Sequence, residues 1–249
     1  MGSLWVAFLA FFVVLTAIPA VGRVAVRVGF VDRPGGRKTH EDAVPPIGGI
    51  VIFPVFIAAS ILAGVDLVIY WPLFAALSLL LVMGAVDDRC HVQAWIKFMI
   101  QFVAAFLIVL PGGAQVFHLG DMFGFGVVSL GFMSIPFSVF CVVLLINAIN
   151  LMDGLDGLAG GKSFVMLGWL MVACGFLVHQ EAFLIIGILE AVLLGFLFYN
   201  MRHPFRKQAS VFLGDAGSMA LGLVLAWYVI TLSQEPVNVL APVSVAWIV

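Results

Sequence analysis

Five aspartates, Asp87, Asp88, Asp153, Asp156 and Asp215, stand at the ends of long apolar runs. A carboxylate beside hydrocarbon is costly unless it meets a cation or takes part in chemistry. The first pair lies in Gly84-Ala-Val-Asp-Asp-Arg89. Adjacent carboxylates disfavour each other's ionisation, and a bound cation or a nearby lysine relieves this. A solvated helix end is the bland reading, weakened because negative charge at a helix C-terminus opposes the helix dipole. In the second group Asn147, Asn150, Asp153 and Asp156 recur every three positions. Such neighbours share a helix face, yet from 147 to 156 a straight helix drifts by about half a turn. Glycines at 154, 157, 160 and 161 therefore predict a loosened helix that lets all four polar groups face one cavity. Irregular backbone at membrane depth is tolerated only against protein or water. The third group, Ser210-Val-Phe-Leu-Gly-Asp215-Ala-Gly-Ser218, opens another helix, where Asp215 or Ser218 would suit the N-cap. As a further acid at the same face, Asp215 also reads as a ligand for Mg²⁺, which needs one or two carboxylates plus substrate phosphates.

The elements that must position these groups are membrane helices. The chain has 249 residues, 64% hydrophobic and 10% charged, with mean hydropathy +1.23. Soluble domains are about 45–50% apolar and about 25% charged, so the composition predicts an all-α integral membrane protein, a polytopic helix bundle. Apolar runs place eight full transmembrane helices at about 4–21, 47–63, 68–86, 96–110, 127–149, 163–178, 182–199 and 218–232, with a ninth beginning at 241. The segment 87–95 reads as a polar loop. All 11 Lys and Arg, from Arg23 to Lys207, fall in or beside segments on one face, whereas the opposite loops carry Asp66, Asp121, Glu181 and Glu235. By the positive-inside rule the basic face is cytoplasmic and the N-terminus periplasmic. The first helix has its basic residues after it, so it reads as retained rather than as a cleaved signal.

Other features carry less. Gly160-Gly-Lys-Ser163 lacks the glycine six residues before the lysine that a phosphate-binding loop requires, and position 156 is Asp. Cys90, Cys141 and Cys174 have no metal or disulfide spacing. Glu190 lies mid-helix and reads either as a proton-pathway residue or as a neutral acid bonded to nearby backbone. The first basic loop, Arg33-Pro-Gly-Gly-Arg-Lys38-Thr-His40 followed by Pro45-Pro-Ile-Gly-Gly49, would suit a diphosphate. Arg202, His203, Arg206 and Lys207 could do the same or anchor to anionic lipid.

The blocks Val86-Asp-Asp-Arg, Asn147…Asn150…Asp153-Gly-Leu-Asp156-Gly-Leu and Phe212-Leu-Gly-Asp215-Ala-Gly-Ser resemble those of the polyprenyl-phosphate N-acetylhexosamine-1-phosphate transferases, glycosyltransferase family 4. Arg37-Lys38-Thr-His40 and Lys97…Gln101 share in the likeness. Pro242-Val-Ser-Val-Ala-Trp-Ile-Val resembles the bacterial branch that makes undecaprenyl-diphosphate N-acetylglucosamine to prime cell-envelope glycans. The resemblance implies transfer of N-acetylglucosamine 1-phosphate from UDP-GlcNAc to undecaprenyl phosphate, with release of UMP, at the cytoplasmic face of a bacterial inner membrane. It implies Mg²⁺, with Mn²⁺ as the alternative, held by Asp215. Asp87 or Asp88 would orient or deprotonate the acceptor phosphate, and Asp156 joins them as a catalytic candidate. Asn147, Asn150, Asp153 and Asp156 would line the sugar and uridine pocket, Phe212 would pack on the uracil, and Lys38 would contact the nucleotide. Membrane lipid is a partner, nucleic acid is not, and a homodimer is compatible. The runner-up within the family builds the peptidoglycan lipid from a pentapeptide-bearing sugar. A cation-coupled transporter and a scaffold are the readings from other classes. Members of the family carry a His-rich motif after the ninth helix. The sequence 1–249 is therefore expected to be one transmembrane transferase domain, incomplete at its C-terminus and weakly active alone.

Overall fold

The computed structural model describes residues 4–32, 43–122, 124–176, 179–204, 206–234, 236–237 and 239–243. Among these the protein is helical: α1 (Leu4–Arg27), α2 (Gly48–Leu62), α3 (Leu67–Cys90), α4 (Ala94–Val109), α5 (Ser134–Met152), α6 (Leu158–Phe176), α7 (Gln180–Asn200) and α8 (Gly214–Ser233), with a 3₁₀ turn at Gly131–Met133. Six of these helical segments are long and apolar enough to cross a membrane; α2 and α4 are apolar but shorter. At 1.5 Å per residue, the 15 and 16 residues of α2 and α4 reach about 22–24 Å, below the ~30 Å hydrocarbon thickness.

α8 is the axis of the bundle. It packs on α2, α3, α5 and α6, and nearly all of its residues are buried. A helix that is apolar all round is buried all round, and α8 shows no polar stripe along its length. α1 lies outside, against α2 and α7. Its exposed Trp5, Phe8 and Phe12 form a face suited to lipid. At one end of the bundle Asp66 caps α3, its carboxylate accepting from the Val68 amide at 2.8 Å, and the Asp66 amide donates to Glu181 at 3.3 Å.

Helix ends differ from the sequence expectation where polar residues continue a helix. α3 runs to Cys90, so Asp87 and Asp88 lie in its last turns and not in a loop. α1 runs to Arg27 and α6 starts at Leu158. Polar side chains at these ends find water or partners, so hydropathy falls before the backbone hydrogen bonding does.

Small residues let α8 approach its neighbours. A Cβ on Gly84 would stand 2.2 Å from the Ala216 backbone, and one on Gly49 would stand 2.2 Å from the Gly217 nitrogen. The amides of Gly48 and Gly49 donate to the carbonyls of Phe212 and Leu213, both at 2.9 Å. The start of α2 is thereby tied to the segment that leads into α8. Gly84→Ala pushes a methyl against backbone that cannot yield, and overpacking of this kind costs about 3 kcal/mol. Thermal denaturation in detergent is expected to show a large loss of stability for Gly84→Ala, whereas Gly161→Ala, with open space around it, stays near wild type.

Candidate functional site

The C-terminal ends of α3, α5 and α7 and the N-terminal end of α8 surround a cavity of about 620 Å³. Asp87, Asp88, Asp153, Asp156 and Asp215 all line it, so the three acidic groups of the sequence meet in space.

Each carboxylate has a defined task. Asp87 Oδ1 accepts from the Val92 amide at 2.6 Å, and Oδ2 accepts from Lys97 Nζ at 2.7 Å. Lys97 Nζ also donates to Asp215 Oδ2 at 2.6 Å. The second oxygen of Asp215 accepts from Asn150 Nδ2 at 2.9 Å, and the same amide nitrogen reaches Ser218 Oγ at 2.8 Å. Asp88 turns to α8, its two oxygens accepting from the backbone amides of Asp215 at 3.0 Å and Ala216 at 3.5 Å. The residue preceding α8, Leu213, supplies no side-chain cap. The N-cap expected from Asp215 or Ser218 comes instead from another helix, because Asp215 is already inside the first turn and its carboxylate points to Lys97 and Asn150. Gly214 adopts φ +76°, and a Cβ there would meet Asp88 Oδ2 at 2.7 Å.

The Asn/Asp segment breaks rather than loosens. α5 ends at Met152, a turn follows, Gly157 takes φ +76° and α6 begins at Leu158. Asp153 and Asp156 reach the cavity from this turn, whereas Gly160 and Gly161 are helical. Asn147 lies one turn deeper than Asn150 and pairs with Gln101, its Nδ2 donating to Oε1 at 2.7 Å. It also donates to the Val143 carbonyl at 2.8 Å and does not line the cavity. Phe212 does line it. Lys38 lies outside the described residues.

Asn200 and His91 are not evident from spacing, whereas Arg202, Arg206 and Glu190 stand out in the sequence and here have definite surroundings. Asn200 is buried, accepts from the Gly157 amide at 3.0 Å and donates to the Val211 carbonyl at 2.9 Å, tying the turn to the segment before α8. Arg202 Nε donates to Asp156 Oδ2 at 2.9 Å. The Arg206 guanidinium lies 4.9 Å over the Tyr199 ring and bonds to Ser210. His91 ends α3 at φ 50° and lines the cavity; a non-glycine residue in the left-handed region is a strained position of the kind found at functional sites. Glu190 is buried in α7, 8% exposed, and its Oε1 has no partner among the described residues; no bond from that oxygen to neighbouring backbone is present.

Residues 70–233 match the sequence profile described as Glycosyl transferase family 4, a stretch that holds all five aspartates. The chain belongs to this family. Among curated relatives, a probable undecaprenyl-phosphate N-acetylglucosaminyl 1-phosphate transferase of Bacillus subtilis is 36% identical over 217 residues, 84% of this chain and 57% of the relative. The undecaprenyl-phosphate alpha-N-acetylglucosaminyl 1-phosphate transferases of Yersinia pestis and Escherichia coli strain K12 are 30% and 31% identical, over 91% of this chain and 62% of theirs. The chain thus spans about three fifths of the length of the curated relatives it matches.

In this member of glycosyl transferase family 4, burial and then negative charge shape the behaviour of Asp153. Burial, then the neighbouring carboxylates Asp215 and Asp88, push its pKa well above the usual carboxylate range, and the Gly214 amide opposes this only in part. A carboxyl with a raised folded-state pKa is comfortable when protonated. Its cost appears as pH rises from the unfolded value through the folded one. Without divalent cation, Asp153→Asn is expected to melt higher than wild type at pH 7–8 and equally at pH 4, in a pH series of thermal denaturation. Asp88→Ala leaves two amides of α8 without an acceptor and is expected to lose about 1–2 kcal/mol. Asp88→Asn, which keeps one acceptor oxygen, is expected to lose less in the same assay.

Proposed function

We propose that this chain forms the membrane core of an enzyme that transfers N-acetylglucosamine 1-phosphate from UDP-GlcNAc to undecaprenyl phosphate. A phosphate oxygen of the lipid attacks the sugar-linked phosphorus, the bond from that phosphorus to UMP breaks, and UMP carries away the bonding electrons. The observation that carries the reading is the convergence of Asp87, Asp88, Asp153, Asp156 and Asp215 on one cavity at one end of a membrane helix bundle. The names of the relatives support the choice of donor and acceptor, and favour it over the pentapeptide-bearing alternative.

The donor set suits a hard divalent cation. Asp87 and Asp215 offer oxygen ligands already drawn to a cation, the Lys97 ammonium. Among the described residues no group of three or more His, Cys, Asp or Glu could hold a metal by itself, so water would complete the shell in the substrate-free protein and phosphate oxygens would replace part of it when substrate binds, as is usual for Mg²⁺. Asp215, with Asp87 beside it, would hold the ion. Bound there, Mg²⁺ supplies positive charge against the diphosphate and the leaving UMP. Asp88, engaged with the α8 backbone, keeps Asp215 in position, and Asp87 would orient the acceptor phosphate through the cation on its Oδ2. Phe212 offers a ring to the uracil. Asp153 and Asp156 would face the donor, with Arg202 at the mouth and Lys38 as a nucleotide contact, whereas Asn150 does not line the cavity and instead holds Asp215 and Ser218.

The bundle is read as eight crossings with a periplasmic N-terminus, α2 and α4 spanning with the help of their flanking segments. Arg89, Lys97, Lys162 and Arg202 belong to the same helix ends as the cavity, and by the positive-inside rule that end faces the cytoplasm of a bacterial inner membrane, where the nucleotide sugar is. A transporter would place acids at mid-membrane and at both mouths.

The test fuses this chain to the part of the Bacillus subtilis relative that lies outside the matched residues and follows UMP release and radiolabelled sugar-phosphate transfer to undecaprenyl phosphate. Activity is expected with Mg²⁺, absent with EDTA, and reduced at least about 100-fold by Asp215→Asn. Full turnover in Asp215→Asn would remove the metal assignment. Ion-driven uptake into proteoliposomes without UMP release would favour a transporter.

A further inference from the structure

Lys97 has a role that the proposed reaction does not use. Its Nζ lies 2.7 Å from Asp87 Oδ2 and 2.6 Å from Asp215 Oδ2. The remaining oxygens of these two aspartates are taken, Asp87 Oδ1 by the Val92 amide and Asp215 Oδ1 by Asn150. The two Oδ2 atoms are thus the pair left to receive a cation, and the ammonium sits on both. The side chains are only partly exposed, 21% for Lys97, 11% for Asp87 and 30% for Asp215. Water alone screens such a cluster poorly. Asp88 is engaged by α8 amides and Asp156 by Arg202, and among the described residues neither shares an ion pair with Lys97.

We infer that Lys97 is a built-in counter-ion that occupies the divalent-cation position in the metal-free protein and must leave Asp87 and Asp215 for the metal to bind. This rests on the reading of Asp215 as a metal ligand. Two cations cannot share the same pair of oxygen atoms at bonding distance, because their mutual repulsion would be nearly unscreened there. Lys97 therefore competes with the ion, holding the site together before the metal arrives and weakening the metal's apparent affinity. Its position on the first turns of α4, after the Gln93 N-cap, lets the long side chain swing without moving the helix. Once displaced, the ammonium remains beside the cavity as a free positive charge for a phosphate oxygen.

The experiment measures melting of the 249-residue chain in detergent across an MgCl₂ titration, for wild type, Lys97→Met, Lys97→Arg and Asp215→Asn. Lys97→Met is expected to melt below wild type in EDTA, to recover as Mg²⁺ is added, and to show a midpoint at about tenfold lower Mg²⁺, about 1.4 kcal/mol tighter. Lys97→Arg keeps the charge and is expected to retain the wild-type midpoint within a few-fold. Recovery of Lys97→Met by Mg²⁺ separates counter-ion loss from a general folding defect. Equal midpoints for wild type and Lys97→Met overturn the inference while leaving the metal reading intact, provided Asp215→Asn abolishes the response. Absence of any Mg²⁺ response in both wild type and Lys97→Met overturns the metal reading and the inference together.

Discussion

The backbone amides at the start of α8 have no partner on their own helix, and the Asp88 carboxylate of α3 accepts from two of them. Helix N-termini carry unpaired donors and a partial positive charge, so a carboxylate is a favourable answer to both. Because it comes from a different helix, this one contact sets the relation of α3 to α8. It also places Asp215, the second residue of α8, beside Asp87 and Lys97. Gly84, one turn before Asp88, and Gly49 on α2 clear the space that lets α8 come close enough for the contact to form.

The same arrangement concentrates charge. Six carboxylates, those of Asp32, Asp87, Asp88, Asp153, Asp156 and Asp215, line a single cavity; Lys97 pairs with Asp87 and Asp215, and Arg202 with Asp156. Such a cluster is poised toward cations, and Asp153, whose ionisation is opposed by burial and by Asp215 and Asp88, reports the imbalance. In a membrane protein this excess sits at a helix end, where water and ions reach it, and the apolar body of α8 behind it is closed.

Much of this was legible in the linear order of residues. Apolar run length identified the helices and their approximate number, because each must be long and uncharged to exist beside hydrocarbon. The coincidence of Asp, Asn and Gly at run ends marked the cavity, because polar groups there need a task. The break after Met152 was foreshadowed by Gly154 and Gly157, although the backbone turns sharply where a gradual unwinding was expected. Helix ends were less legible. α3 continues through Asp87 and Asp88 because helical hydrogen bonding does not stop where hydropathy falls.

Which polar group meets which was decided only in three dimensions. Asp87 and Asp88 are neighbours in sequence with identical chemistry, yet one holds Lys97 and the other the amides of α8. They point apart because successive residues on a helix are turned by about 100°. Asn147 and Asn150 share a motif, but one pairs with Gln101 deeper in the bundle and the other holds Asp215 and Ser218. Asn200, which carries no motif of its own, ties the Gly157 turn to the approach to α8. Composition and spacing determined that this chain is a helical membrane protein with acids gathered at one face. The partner of each acid depended on helix rotation and close packing between segments far apart in sequence, which no local pattern encodes.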